Sequence, residues 1–374
     1  MNCKIICLES ISDIPAKQWD ALAGGNPLLS HGYLNALEAT HCAVPRTGWR
    51  PRHLVLLRGG AARAAMPLYA KSHSRGEYVF DHAWANAYAR YGMDYYPKLV
   101  SAIPFTPVPG PRLLAHDRND QHLLLEAAKR LLREEGYSSL HILFPHEDEL
   151  PVLKRAGMLL RSNVQFHWYN RGYRNMDDFL AELSQPKRKK LRQDRRRVTQ
   201  AGVTFKWLTG NEIDNATLRF MYLCYVQTYL EHGNPPYLNL DFFERIHDRI
   251  ASSLVVILAE RRGVPIAAAL NIRHADRLYG RYWGSAEYVP GLHFETCYLQ
   301  GMEYCIANGI QVFEGGAQGE HKLARGMLPV QTQSAHWIED PVFNPAIADF
   351  LARETPFIDQ YLDELLAHSP YRDK

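Results

Sequence analysis

The sequence predicts an α+β protein (α/β in the looser usage) made of two tandem domains of one plan, each a mixed, mainly antiparallel sheet flanked by helices. Three observations predict it. At 374 residues, 46% hydrophobic and 22% charged, the chain is too long for one small core and suits two. Two stretches about 200 residues apart repeat one order of short strands. Each is followed by an amphipathic helix, a terminating glycine and a further strand. We place the domains at 1–162 and 163–374.

The first repeated stretch is "HLVLLRGGAARAAMPLYAKSHSRGEYVFDHAWA", His53 to Ala85, and the second "LVVILAERRGVPIAAALNIRHADRLYGRYWGSA", Leu254 to Ala286. Apolar β-branched runs separated by glycine-containing and polar turns read as a three-strand antiparallel meander ending at a tryptophan. Leu54 and Leu254 are 200 positions apart and Trp84 and Trp283 are 199 apart, so Trp84 is expected to superpose on Trp283. Then "DQHLLLEAAKRLLREEGYSSLHILFP" (Asp120 to Pro145) matches "HFETCYLQGMEYCIANGIQVFEGG" (His293 to Gly316), each an amphipathic helix closed by glycine and followed by a strand. Gly136 and Gly309 are only 173 apart, which leaves a Tyr/Pro-rich insert of about 26 residues within 85–114. The tail from Phe350 reads as an amphipathic helix closing domain two. Meander, helix, strand is the element order of the acetyltransferase-type (GNAT, acyl-CoA N-acyltransferase) fold. There the strands before and after the helix splay apart, and acyl donor and amine meet in the gap.

Charge is the next asymmetry. The formal net charge is +3, yet "LSQPKRKKLRQDRRRV", Leu183 to Val198, holds eight lysines and arginines and one acid. Read as a helix over 186–200 with Pro186 in its first turn, it has a narrow apolar seam of Leu191 and Val198, with cations around most of the remainder. Like-charge neighbours such as Arg188/Arg192 and Arg192/Arg196 cost about 1–2 kcal/mol together. An anionic partner would offset that cost; a solvated face screened by salt is the alternative. Lys187, Arg188, Lys190 and Arg192 are the candidate phosphate-binding residues, for tRNA or a nucleotide- or lipid-linked precursor.

No apolar stretch approaches a membrane span and the N-terminus lacks a signal-peptide pattern, so a cytoplasmic protein is expected. Cys3, Cys7, Cys42, Cys224, Cys297 and Cys305 form no C-x-x-C pair, and Cys3/Cys7 and Cys297/Cys305 are each spaced for one buried face. Neither metal nor a tightly bound cofactor is expected.

The candidate chemistry lies after the strand "IQVF". Glu314, at that strand's end, is expected to face the gap beside Trp283, Gly284 and Ser285 and to take the proton of an attacking amine. Glu320 and His321 follow on the glycine-rich loop, with Lys322 suited to an oxyanion or a phosphate; a turn-rich surface loop is the alternative. In the first repeat Asp81, His82, Trp84, Asn86, Tyr95 and Tyr96 are candidate substrate contacts, or else packing residues.

The strings "NPLLSHGYLNALE" (Asn26 to Glu38), "DHAWANAYARYGMDYYPKLVSAIPFTPVPGPRLL" (Asp81 to Leu114), the basic run, and "FEGGAQGEHKLARGMLPV" (Phe313 to Val330) resemble the FemAB-like branch of the tandem-GNAT proteins, and more closely a proteobacterial family labelled peptidoglycan biosynthesis or recognition. The resemblance implies transfer of an amino acid from aminoacyl-tRNA to an amine of a cell-wall precursor. One departure bears on the donor. The Q/R-x-x-G-x-G/A loop that holds the CoA pyrophosphate is reduced to "AEYVPGLHFE", with the single Gly291, which weighs against acyl-CoA. An ordinary acyl-CoA N-acyltransferase and a non-catalytic binder of cell-wall precursor or RNA remain the alternatives.

Overall fold

The structure is a computed structural model and describes residues 3–316 and 319–372. The chain forms two compact units. One comprises 1–163 with 331–360, the other 164–330 with 361–374. The first boundary falls beside the expected one. The tail departs from expectation: the helix Phe343–Ala367 gives its residues up to 360 to the first unit rather than closing the second.

In the first unit, strands Cys3–Leu8, His53–Arg58, Ala61–Met66 and Leu114–Ala115 pair antiparallel in that order. A further ladder runs Trp49–Pro51, Tyr69–Lys71, Lys98–Ser101 and Ser139–Leu143, and the last of these pairs with residues 334–338. The helix Arg118–Glu135 buries Leu124, Leu125, Ala128 and Leu132 against Leu54, Leu56, Met66 and Ile142. It starts at the Asp117 cap, whose carboxylate accepts from the Asp120 amide, and ends at Gly136 in the left-handed region.

The expected first meander does not form. Only its first two strands pair with each other, and Trp84 lies in the helix His82–Arg90. Trp84 therefore has no strand position to share with Trp283. Its surroundings explain the difference: with Tyr88 and Tyr95 it packs on Ile338, Phe343, Ile347 and Leu351, an apolar cluster that a helix face serves well. The cysteines at the N-terminus also differ from expectation, Cys3 being exposed and Cys7 half-buried.

The second unit holds the expected meander. Strand β1 (Leu254–Arg261), β2 (Val264–His274) and β3 (Arg277–Ser285) are successive antiparallel neighbours, with Val203–Thr209 outside β1. Strand β4 (Val312–Glu314) pairs parallel with β3 over only three positions, Arg277↔Val312 to Tyr279↔Glu314, and antiparallel with residues 167–169 on its other side. The basic run is helix α1 (Gln185–Gln200), with Ser184 as cap residue and Pro186 in the first turn. Helix α2 (Asn215–Glu231) packs on β2 and β3, and α3 (292–307) connects β3 to β4 through a π turn at Glu295–Leu299.

Helix α2 approaches β3 so closely at Gly284 that a Cβ there would collide with the Cys224 carbonyl. Gly284→Ala is therefore expected to cost about 3 kcal/mol, measured by urea denaturation; an unchanged midpoint would show that the contact yields freely.

Candidate functional site in the second unit

The site arises from how briefly β3 and β4 run together. Glu314 ends β4, and Gly315 and Gly316 turn the chain away, Gly316 with φ 83°. Strand β3 continues to Ser285, so the two strands part beyond Gly280. A cavity of about 130 Å³ opens there, with Trp283, His293, Tyr298 and Phe313 in its wall and Gly280 and Asn271 beneath. The Trp283 and His293 rings lie 4.9 Å apart. The π turn places Cys297 and Tyr298 on the same wall; such turns recur where a helix must present side chains to a site.

Lys322 is the buried cation of this region. Its ammonium donates to the Gly316 carbonyl at 2.9 Å, and a Cβ on Gly316 would lie 3.9 Å from it and 4.0 Å from the Gly280 carbonyl oxygen. Nζ thus sits where the strands diverge. Burial lowers its pKa from the usual lysine range to about 8. His321 is exposed and 3.2 Å from the Tyr298 hydroxyl, and Arg325 lies 3.4 Å over the Phe294 ring. His293 is pushed down to about 4 by burial and by the neighbouring His321, Arg325 and Lys322, so it is neutral at pH 7.

Glu314 differs from its expected placement. It stands beside Tyr279 and His167, not beside Trp283, Gly284 and Ser285. Because side chains alternate along a strand, it projects from the face opposite Phe313, which lines the cavity. Arg277 donates to its Oε1 at 2.9 Å, while Oε2 is buried without a hydrogen bond and 3.8 Å from His167 Nε2. Burial raises its pKa to about 7 despite Arg277. Glu320 is exposed and accepts from the Tyr361 hydroxyl at 2.7 Å. Ser285 is half-buried at the end of β3 and is not among the residues lining the cavity.

Helix α1 borders the site. Its seam residue Val198 clusters with Val289 and Leu292, and a Cβ on Gly291 would lie 3.5 Å from Val198. Leu191 and Val198 are buried as the helical period predicts. Neighbouring acids relieve part of the crowding: Arg192 pairs with Asp177 at 3.0 Å, Lys190 with Asp194 at 3.0 Å, and Arg195 with Glu295 and Glu303 at 3.2 and 2.6 Å. Arg188 donates to the Ala181 carbonyl at 3.3 Å. Lys187, Lys189 and Arg196 are exposed with no ion pair among the described residues. Lys189 and Arg196, seven positions apart, share the face away from the seam. Sequence reading had not selected them, although their spacing was available.

The first-unit candidates divide between that unit's interior and its surface. Asp81 is buried and accepts from Lys98, from the Tyr95 hydroxyl at 2.7 Å and from Ser74 at 2.6 Å. Burial works to raise its pKa and Lys98 overcomes that, leaving it below the usual carboxylate range. Lys98 also donates to Glu77 at 2.8 Å, and Tyr96 meets Ser74 at 2.8 Å. His82 and Asn86 are exposed on the helix, on the other side from Trp84. Asp81, Trp84 and Tyr95 thus serve that unit's interior, the packing alternative.

A carboxyl whose folded pKa is raised stabilises fully below its unfolded value near 4.5, and that contribution is lost as pH rises through about 7. Glu314→Gln, which keeps an acceptor for Arg277, should melt progressively higher relative to the unaltered protein between pH 5 and 8. A melting difference independent of pH would show that Glu314 is not held in this state.

The sequence matches the FemAB-like family, described as peptidoglycan biosynthesis/recognition, over residues 10–373. No curated protein matches it. Among solved structures, FemX is similar at 13% identity and TM-score 0.56, over 93% of this chain and 100% of that one. The C-terminal DUF2156 domain of a protein named as a lysylphosphatidylglycerol synthetase, from Agrobacterium fabrum, is similar at 10% identity and TM-score 0.55, over 92% and 97%. L-PGS from Bacillus licheniformis follows at 10% and 0.53, over 91% and 97%. At such identities the structures establish a shared fold. No helix among the described residues is long and apolar enough to cross a membrane. With its family profile spanning nearly the whole sequence, the chain belongs to the FemAB-like family of peptidoglycan biosynthesis/recognition proteins.

Proposed function

We propose that the protein is an aminoacyl or acyl transferase that forms an amide on an amine of a peptidoglycan precursor, working in the gap between β3 and β4 with Lys322 as its acid–base group. The observation that carries this reading is a buried lysine of pKa about 8 at the point where the strands part, beside an open cavity. The amine nitrogen attacks the donor carbonyl and a C–N bond forms. Lys322 donates to the oxyanion, then gives a proton to the departing oxygen as the C–O bond breaks. It regains a proton from the nitrogen as the amide settles, so a group poised near the working pH suits both transfers. Glu314, paired with Arg277 on the opposite face, is not needed as the base.

Helix α1 would hold phosphate, and it adjoins the start of α3 by the Gly291 turn. An aminoacyl-tRNA donor fits this better than acyl-CoA, whose pyrophosphate loop is degenerate here. A precursor bearing phosphate would use the same cations.

The test presents the protein with tRNA carrying labelled amino acids and with a peptidoglycan precursor that has a free side-chain amine. A panel of acyl-CoA donors runs in parallel. Label passing from tRNA to the precursor is the expected result. Transfer from acyl-CoA alone would make the protein an ordinary N-acyltransferase, and precursor or RNA binding with no transfer from any donor would make it a binder.

Lys322→Met should lower turnover by about 10²–10⁴. Since Lys322 acts protonated, turnover of the unaltered protein should fall as pH rises through about 8; that limb should be missing from the Met variant's residual rate. Full activity in Lys322→Met would remove Lys322 from the mechanism.

Lys189→Glu with Arg196→Glu alters two unpaired cations, so the melting temperature should hold or rise. Affinity for tRNA should fall, and the slope of log affinity against log salt should flatten by about 0.7–0.9 for each phosphate that is no longer neutralised. Unchanged binding would mean that this face of α1 is merely solvated.

A further inference from the structure

The π turn in α3 is held by side chains that the transfer chemistry leaves unused. Its backbone signature is the Gln300 amide, which donates to the Glu295 carbonyl five residues back. The same two residues also meet through their side chains, Gln300 Nε2 donating to Glu295 Oε1 at 2.9 Å. On a regular α-helix, positions five apart lie about 140° apart around the axis and do not meet in this way. The side-chain bond therefore selects the π turn over an unbroken α-helix. The indole of Trp207, in the strand Val203–Thr209, donates to Gln300 Oε1 at 3.0 Å and fixes the carboxamide from behind.

Glu295 is the weak point of this chain. It is 3% exposed, and the one cation paired with it among the described residues is Arg195 of α1, whose Nε stands 3.2 Å from Oε1. Its Oε2 is buried and accepts no hydrogen bond among the described residues, and the buried Thr296 hydroxyl next in sequence makes none either. Burial pushes the Glu295 carboxyl up, and Arg195 opposes that. Buried polar groups left unpaired are costly. The turn therefore leans on Arg195. That side chain is 26% exposed, also holds Glu303 at 2.6 Å, and continues the row Arg188, Arg192, Arg195 at helical spacing along α1. An anion can reach it from solvent.

We infer that Arg195, Glu295 and Gln300 couple α1 to the cavity: a phosphate-bearing ligand on α1 draws Arg195 to itself and unlocks the π turn, and Cys297 and Tyr298 then take new positions in the cavity wall. Glu295 is thus a positioning residue, and the inference rests on the reading above that α1 holds phosphate. The switch is a competition for one guanidinium, whose planar fork matches phosphate as well as carboxylate. Once Glu295 loses its cation, a bare carboxylate in the interior is unfavourable. Reversion of the turn to an α-helix passes one residue toward the Gly291 turn and rotates Cys297 and Tyr298 by about 100° against the rest of α3. The cavity wall then depends on whether α1 is occupied.

The test uses Cys297 as reporter, because it stands inside the π turn and is half-buried. The full-length protein is titrated with sodium tripolyphosphate. Backbone amide shifts over 188–196 report binding on α1. The rate of Cys297 alkylation by iodoacetamide, read by mass spectrometry of its peptide, reports the turn. Cys224 and Cys305 are buried outside the turn and serve as references. Saturable shifts are expected, with Cys297 alkylation rising about fivefold or more at the same midpoint while the references hold. Glu295→Gln keeps an acceptor for Gln300 and loses the charge that Arg195 answers, so tripolyphosphate should still bind and the Cys297 response should vanish. Should that variant fail to fold, Gln300→Leu is the second arm: it removes the bond peculiar to the π turn, so Cys297 should start at its tripolyphosphate-bound rate and stay there. Shifts on α1 with an unchanged Cys297 rate would overturn the coupling and leave α1 as a phosphate site. A Cys297 response that survives either substitution would overturn it as well. No saturable shift on α1 would remove both the coupling and the phosphate reading of that helix.

Discussion

Everything in the second unit's site depends on a ladder that stops early. Strands β3 and β4 share three paired positions, after which backbone groups on both sides must find other partners or face a cavity. The protein meets this requirement locally. Gly315 donates its amide to the Phe166 carbonyl, and the Gly316 carbonyl accepts from Lys322. Lys322 therefore has a structural task besides the chemical one proposed for it. A lysine that must stay buried to satisfy a carbonyl is held in low dielectric, and its depressed pKa follows from that position.

Cations surround this gap. Next to the cavity stand the neutral His293 and Tyr298 together with Arg281, with Lys322 at the junction. Farther out come Arg325 stacked on Phe294 and then the cations of α1, several held by Asp177, Asp194, Glu295 and Glu303. Arg195 bridges α1 to the π turn through Glu295, so the helix that would meet an anion is tied to the turn that carries Cys297 and Tyr298. Ion pairs of this kind set geometry more than they add stability.

Much of the second unit was legible because periodicity and punctuation agreed. The apolar seam of Leu191 and Val198 located the buried side of α1, and the alternation in Leu254 to Ala286 located three strands in register. Glu314 was misplaced because the length of the β3/β4 pairing was invisible: with three residues paired instead of a longer run, its neighbour is Tyr279, and alternation carries it to the other face. The first unit was less legible. In "GEYVFDHAWANAY" the aromatic run suits either a strand or a helix face, and contacts with Phe343 and Ile347, some 260 residues later, decide it. No local pattern contains that information.

The return of residues 331–360 to the first unit makes neither unit a continuous piece of chain. During synthesis the strand Ser139–Leu143 waits for its partner at 334–338, and Trp84 waits for Phe343, until some 200 further residues have emerged from the ribosome. The first half therefore spends most of its translation with an open sheet edge and uncovered aromatic surface, conditions that invite association with other chains. Its gain is that a truncated product cannot complete a native first unit, so a chain that stops early exposes apolar surface to quality control instead of persisting as a half-finished protein.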